Sequence, residues 1–191
     1  MAYNNERINL RMQEWLSGME QFNLPNWEDL PQLDLYMDQV IILLKQYLAP
    51  LQHGDEDKAV TASIINNYVR MKVVSAPVKK KYSRIHLASL IMICTLKQSL
   101  SISCIQKMLP QDQNEDEMRR IYNSFVLQQR MVQNTFLQQV RNGQPPVFSD
   151  QPDVLLTSCA IISNLSTGLS EYLLHEDDPE PAEKKKKNSA E

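Results

Sequence analysis

The sequence is poor in glycine, cysteine and histidine, and the last two are residues that often form metal sites and redox centres. Its 191 residues include only four glycines, three cysteines and three histidines. The cysteines, Cys94, Cys104 and Cys159, have no CxxC spacing. Each falls in a helical pattern, which indicates a small buried hydrophobic side chain rather than a metal ligand. We therefore expect neither a metal ion nor another cofactor.

Motifs that mark enzymes and membrane proteins are missing as well. The sequence has no glycine-rich phosphate-binding loop, no HExxH and no nucleophile elbow, and its histidines lie far apart. We predict that the protein is not an enzyme and has no catalytic residues. It also lacks a run of about eighteen uncharged apolar residues and an apolar stretch near residue 1, which favours a cytoplasmic protein without a membrane segment.

Acidic residues are absent from the middle of the chain. We call positions 58–111 the basic span, because it contains no Asp or Glu but nine Lys and Arg residues. Its formal charge is +9 in a chain of net charge −3, so the remaining residues carry −12. Such an asymmetry is typical of a polyanion-binding surface, although a solvated lysine cluster is the alternative. The nine residues are Lys58, Arg70, Lys72, Lys79, Lys80, Lys81, Arg84, Lys97 and Lys107.

Apolar residues recur at helical spacing over most of the chain. Together with the few glycines, this period predicts an all-α fold, mainly a helical bundle with at most a tiny β-wing. Prolines and capping residues delimit the expected helices. These cover residues 4–22, 35–48, 62–72, 84–98, 102–109, 114–141 and 153–174.

The stretch from Thr61 to Arg84 combines a short amphipathic helix with a basic loop. Thr61 is suited to cap the helix, because its hydroxyl can accept a bond from a backbone N–H of the first turn. The apolar face is formed by Ile64, Ile65 and Tyr68. Opposite it lie hydroxyl, amide and guanidinium groups, which are the side chains that contact base edges and phosphates; they belong to Ser63, Asn66, Asn67 and Arg70.

The order of residues in this stretch resembles the winged helix-turn-helix of the MerR family. The resemblance covers about residues 61–110 and implies a recognition helix at 62–72, a strand pair that includes Val73-Val74, and a basic wing at 79–82. The MerR pattern has glycine at the position of Lys72. The residues that carry the resemblance are Ile65-x-x-Tyr68, Val73-Val74, Pro77, Lys81-Tyr82-Ser83, Leu87 and Leu90.

A second resemblance covers about residues 24–141. The motifs LPNWEDLPQLDLYMDQV (24–40), INNYV and VKKKYS are similar to a family of bacterial proteins catalogued as a domain of unknown function. Its members are of the YkrK type and are described as transcription regulators. This resemblance therefore implies a role in transcription regulation.

Charge, pattern and resemblance together predict a sequence-specific DNA-binding transcription regulator. We expect a repressor that occludes a promoter of double-stranded DNA. The alternative is a helical interaction module that docks an acidic protein through the same basic patch. The candidate DNA-binding residues are Thr61, Ser63, Asn66, Asn67, Tyr68, Arg70, Lys72, Lys79, Lys80, Lys81, Tyr82 and Arg84.

The two long C-terminal helices, 114–141 and 153–174, have more apolar faces than one small core needs. The MerR resemblance implies that such helices form a homodimer, whereas the alternative is that they pack on their own domain. A small-molecule effector between them is a further expectation, although no polar cluster identifies it. The expected regions are an N-terminal helix with a Pro/Trp loop (1–33), a DNA-binding domain (34–110), a dimerisation or effector region (111–175) and a disordered charged tail (176–191).

Overall fold

Seven α-helices form the described part of the protein. The computed structural model describes residues 5–51, 60–109, 114–145 and 152–174. Within these ranges there is no β-strand, only two isolated antiparallel bridges, so the predicted all-α class is confirmed. The helices are α1 (Asn5–Gln21), α2 (Met37–Leu48), α3 (Ala62–Arg70), α4 (Arg84–Leu96), α5 (Ile102–Met108), α6 (Glu115–Arg141) and α7 (Pro152–Leu174).

Helix α4 lies at the centre of the core. Ten of its thirteen residues are buried, because α2, α6 and α7 all pack against it. A helix that is apolar on every side can be stable in water only in such a position. Since α4 follows directly after residues 79–82, this basic loop is attached to the most buried of the described helices.

Helix α1 packs across α6 and α7, and a buried amide fastens its C-terminal end. The side-chain N–H groups of Gln133 on α6 donate to the backbone oxygens of Met19 (2.8 Å) and Phe22 (2.9 Å). Both oxygens lie where α1 ends; that of Met19 also accepts the Phe22 N–H at 3.2 Å. Gln133 therefore takes the place of a helix cap and orients α1 on α6.

Helix α3 ends earlier than predicted, at Arg70 instead of residue 72. The N–H of Lys72 donates to the Val69 oxygen, and the N–H of Val73 donates to the Tyr68 oxygen, both at 3.0 Å. This pair of bonds is the Schellman motif, which requires a left-handed residue at the position of Lys72. Lys72 has φ 57°, where a glycine would be unstrained.

Helix α6 ends with the same motif but has the favoured residue. Gly143 has φ 63°, its N–H donates to the Val140 oxygen, and the next N–H donates to the Gln139 oxygen. Two helices of this chain thus end in the same way, one at a glycine and one at Lys72.

Three further expectations are corrected by the structure. Helix α2 begins at Met37, not at residue 35, because Leu35 forms an antiparallel bridge with Tyr82. Val73-Val74 is buried but belongs to no strand pair, since both N–H groups turn back to the oxygen of Tyr68. Among the cysteines only Cys94 is buried, whereas Cys104 and Cys159 are exposed.

No described helix is both long and apolar enough to cross a membrane.

Candidate nucleic-acid interface

Helix α3 presents a polar face to solvent, which we call the amide face (Ser63, Asn66, Asn67 and Arg70). Ser63, Asn66 and Arg70 are exposed, and Asn67 is half-buried. The opposite side is fixed to the core by Ile65 and Tyr68, which are buried. At the N-terminus the Ile64 N–H donates to the Thr61 hydroxyl at 3.3 Å, so Thr61 is the predicted helix cap.

A short hydrogen bond holds the guanidinium of the amide face in place. Arg70 donates an Nη2 hydrogen to Oδ1 of Asn67 at 2.6 Å. The amide nitrogen of Asn67 lies 3.5 Å from the Met71 sulfur. Arginine has five N–H donors, so most of them remain available for a phosphate or a base. Asn67, in contrast, already uses its acceptor within the protein.

A groove of about 1030 Å³ runs beside α3, between this helix and the C-terminal end of α4. We call it the α3–α4 groove. Its walls include the whole amide face together with Lys97 and Gln98, which follow α4. Lys97 belongs to the basic span but is not among the DNA-binding residues predicted from the sequence. No local pattern could have identified it, because Lys97 and Arg70 are brought together only by the packing of α3 and α4 on α2.

The basic loop forms a two-residue turn, the lysine turn (Val78–Lys81). The N–H of Lys81 donates to the Val78 oxygen at 2.9 Å, and the Val78 N–H donates to the Lys81 oxygen at 3.1 Å. Lys79 (φ 50°) and Lys80 (φ 64°) both have positive φ, which is the signature of a type I′ turn. Such turns favour Asn-Gly. The turn therefore holds two exposed lysines in a strained conformation.

Exposed apolar side chains lie on the lysine turn and on the segment before α2, which pairs with Tyr82 through Leu35. Leu33 is 81% exposed, Val78 is 68% exposed and Tyr36 is 53% exposed. The ammonium of Lys81 lies 5.3 Å from the centre of the Tyr36 ring, so this lysine is half-buried against an aromatic face. We call Leu33, Tyr36 and Val78 the apolar rim.

Three of the predicted contact residues are buried or half-buried. Tyr68 is 6% exposed and Tyr82 is 3% exposed. Burial raises the pKa of Tyr68 to about 12 and also raises the pKa of Tyr82. Arg84 donates to the backbone oxygens of Leu30 (2.9 Å) and Pro31 (3.4 Å).

Arg84 also stacks on an aromatic ring that ties the N-terminal loop to the bundle. Its guanidinium lies 5.4 Å from the centre of the Trp27 ring, and Trp27 in turn contacts Tyr122 edge to face. The backbone N–H of Trp27 donates to Asn123 of α6 at 3.1 Å. Arg84 is half-buried and uses two of its nitrogens to bind the N-terminal loop, and its contact with DNA remains a prediction.

A buried histidine connects the loop before the lysine turn to α4. Nδ1 of His86 accepts from the backbone N–H of Ser83 at 3.0 Å, and Nε2 lies 3.3 Å from the oxygen of Ala76. These contacts require a neutral ring with its proton on Nε2. Burial lowers the pKa of His86, against smaller opposing effects of the Ala76 oxygen and the Asp34 charge.

The basic span keeps its charge uncompensated at this surface. The ion pairs Arg119–Glu28 and Arg141–Glu20 lie elsewhere, and over the described ranges no carboxylate pairs with a cation of the basic span. Nor do His, Cys, Asp and Glu side chains of these residues form a cluster that could hold a metal ion. The side chains of this surface can therefore form hydrogen bonds and cationic contacts with a ligand.

Comparison with known proteins identifies a family but no function. The family model described as Domain of unknown function (DUF1836) matches residues 25–125, a range that includes α2 to α5, the lysine turn and the first part of α6. The match also crosses the boundary expected at residue 110. No curated protein and no solved structure matches the chain. The MerR-like winged helix-turn-helix and the YkrK-type assignment remain predictions.

Proposed function

The chain belongs to the DUF1836 family, a family without an assigned function, and we propose from its own site that it is a sequence-specific DNA-binding transcription regulator. One observation supports this proposal above the others. The amide face projects from a short helix into solvent, and the cations around it have no carboxylate partner among the described residues. Unpaired cations beside amide groups match the phosphates and base edges of duplex DNA.

In this proposal α3 enters the major groove. Its nine residues span about 14 Å at 1.5 Å per residue, and the major groove is about 12 Å wide. Asn66, exposed and without a protein partner among the described residues, is suited to pair with the N6 and N7 atoms of adenine. Lys79 and Lys80 contact phosphates, and bound protein represses transcription by occluding the promoter.

Fluorescence anisotropy tests this function. The full chain is titrated with duplex DNA from the region upstream of its own gene, and with scrambled DNA, at two salt concentrations. We expect tight, salt-sensitive binding that discriminates between the two duplexes by roughly a thousandfold. Weak binding that ignores sequence would reject the proposal.

Two variants separate base contacts from phosphate contacts. Asn66→Ala is expected to weaken binding to the preferred duplex by about tenfold and to leave scrambled DNA unaffected, because a bidentate amide–adenine pair is worth about 1–3 kcal/mol. Lys79→Ala is expected to weaken binding to both duplexes and to lower the salt slope by about 0.9. Identical behaviour of the two variants would contradict this division of roles.

The apolar rim favours a second candidate function, docking of an acidic protein through the same surface. Leu33, Tyr36 and Val78 are large and exposed on the lysine turn and on the segment that pairs with it, which is the composition of a protein-binding patch. A partner of this kind would place apolar side chains on the rim and carboxylates on Lys79 and Lys80. Competition separates the two candidates, because duplex DNA displaces such a partner only where both use the lysine turn.

We also propose that the protein forms a homodimer through α6 and α7. Leu127 (56% exposed) and Met131 (62% exposed) lie near the middle of the 27-residue helix α6, and Leu156 of α7 is exposed as well. In an antiparallel pair of α6 helices these central residues would cover one another. The acidic first turn at residues 115–117 would then lie opposite Arg141 of the second copy.

A further inference from the structure

Lys97 stands at the end of the most buried helix and faces the amide face across the α3–α4 groove. Its backbone N–H donates to the Ile93 oxygen at 2.8 Å, so the residue continues the frame of α4. Its side chain is exposed. A cation attached to a rigid core helix needs little ordering to hold a ligand in a defined place.

The lining of the α3–α4 groove is suited to an anion that also offers hydrogen-bond acceptors. Among the described residues it contains two cations, Arg70 and Lys97, and no carboxylate. The other polar groups are donors or can become donors on rotation; they belong to Ser63, Asn66, Asn67, Tyr68 and Gln98. Phosphate oxygens accept several such bonds at once.

The hydrogen bond between Asn67 and Arg70 joins two side chains of the groove wall. At 2.6 Å it is a charge-assisted bond, and it directs the guanidinium along the helix surface instead of leaving it free to rotate. Asn67 has its oxygen occupied in this way, so it is a positioning residue for Arg70 and not a reader of bases. Asn66 and Ser63 remain for that task.

We propose that the α3–α4 groove seats the phosphates of one DNA strand, with Lys97 and Arg70 as the cationic contacts and Asn67 as the residue that positions Arg70. The inference rests on the DNA-binding function proposed above. A helix that lies in the major groove has a phosphate strand along its side, and this groove follows the side of α3. Lys97, which lies 27 positions after Arg70 in the sequence, thereby becomes part of the proposed interface.

The salt dependence of DNA binding tests the role of Lys97. Lys97→Ala is compared with Lys107→Ala, which removes an exposed lysine of the basic span that does not line the groove. We expect Lys97→Ala to reduce the slope of log K against log salt by about 0.9, the value for one phosphate contact, and Lys107→Ala to leave it unchanged. Equal slopes for Lys97→Ala and the unaltered protein would overturn the inference while leaving the DNA-binding function intact.

A purely structural role of Lys97 has a different signature. A cation at the C-terminal end of α4 also compensates the helix dipole. If this were its only role, Lys97→Ala would lower the melting temperature and leave the salt slope unchanged, which would also overturn the inference. If the unaltered protein binds no DNA, the proposed function fails, and the inference fails with it.

A double-mutant cycle tests the positioning role of Asn67. Asn67→Ala is expected to weaken DNA binding by about fivefold, the equivalent of one net hydrogen bond. In the background of Arg70→Ala the same substitution should have no effect, because there is no guanidinium left to position. Equal effects in both backgrounds would show that Asn67 contacts DNA by itself and would reject the positioning role.

Discussion

Leu35 and Tyr82 exchange two backbone hydrogen bonds across 47 positions of the sequence. The Leu35 N–H donates to the Tyr82 oxygen at 2.9 Å, and the Tyr82 N–H donates to the Leu35 oxygen at 2.8 Å. This bridge joins the segment before α2 to the residue that follows the lysine turn. It thereby fixes one end of the turn to the core and brings the apolar rim beside the lysines.

The lysine turn should become more stable when its residues match its conformation. Lys79→Asn together with Lys80→Gly installs the sequence that a type I′ turn prefers. We expect the free energy of unfolding in urea to rise by about 1 kcal/mol, because asparagine and glycine adopt left-handed backbone conformations at a lower cost than lysine. Lys79→Pro is the opposite control, since proline cannot adopt a positive φ. A loss of stability in the Asn-Gly variant would contradict the assigned turn.

The same variant separates shape from charge in DNA binding. It keeps the turn but removes two cations, so the salt slope should fall by up to about 1.8. The affinity for the preferred duplex should fall together with the affinity for scrambled DNA. An unchanged slope would show that Lys79 and Lys80 make no phosphate contacts.

Arg84 should affect folding but not the salt dependence of DNA binding. Arg84→Ala leaves the backbone oxygens of Leu30 and Pro31 without their donor and uncovers the Trp27 ring. We expect a loss of about 1–3 kcal/mol in the free energy of unfolding. The sequence-based expectation of a DNA contact predicts instead a salt slope lowered by about 0.9. Anisotropy at several salt concentrations, at a temperature where the variant is folded, distinguishes the two outcomes.

His86 should make the protein less stable in mild acid. Burial lowers its pKa below the ordinary value of 6.5, so between the two values the unfolded chain binds more protons than the folded one. The contribution of His86 is complete above pH 6.5 and is lost as the pH falls through 6.5 towards the folded pKa. Protonation of Nδ1 would also remove the acceptor of the Ser83 N–H.

Urea unfolding at a series of pH values measures this effect. His86→Gln has no ionisable ring, so the difference between its pH profile and that of the unaltered protein isolates the histidine from all other titrating groups. We expect the unaltered protein to lose more stability than the variant between pH 7.5 and about pH 5. Parallel profiles would mean that His86 titrates normally.

The homodimer depends on the exposed centre of α6. Leu127→Glu with Met131→Glu places four carboxylates in the proposed interface and should convert the dimer to a monomer in sedimentation equilibrium. The matched control is Gln138→Glu, which changes an exposed position near the end of the same helix. If the unaltered protein is itself a monomer at micromolar concentration, the dimer proposal is wrong. The DNA-binding proposal would then concern a single site rather than two half-sites.

Much of this architecture follows from the sequence alone. The 3.6-residue period of apolar residues predicts each helix of the described ranges, and a capping residue such as Thr61 predicts where a helix begins. The acid-free basic span is likewise a property of the chain. These features are local, since periodicity, capping and charge depend on residues a few positions apart.

Only the tertiary structure determines which residues of the basic span lie together at the surface and form the candidate site. Arg84 turns inward because the oxygens of Leu30 and Pro31 and the ring of Trp27 are brought to it by chain folding, and no spacing rule encodes that encounter. Lys97 lines the same groove as Arg70 because α3 and α4 both pack on α2. The sequence by itself determined the helices and the charge of the basic span. Long-range packing and backbone pairing join residues tens of positions apart, and they decided which of these charged side chains are exposed together.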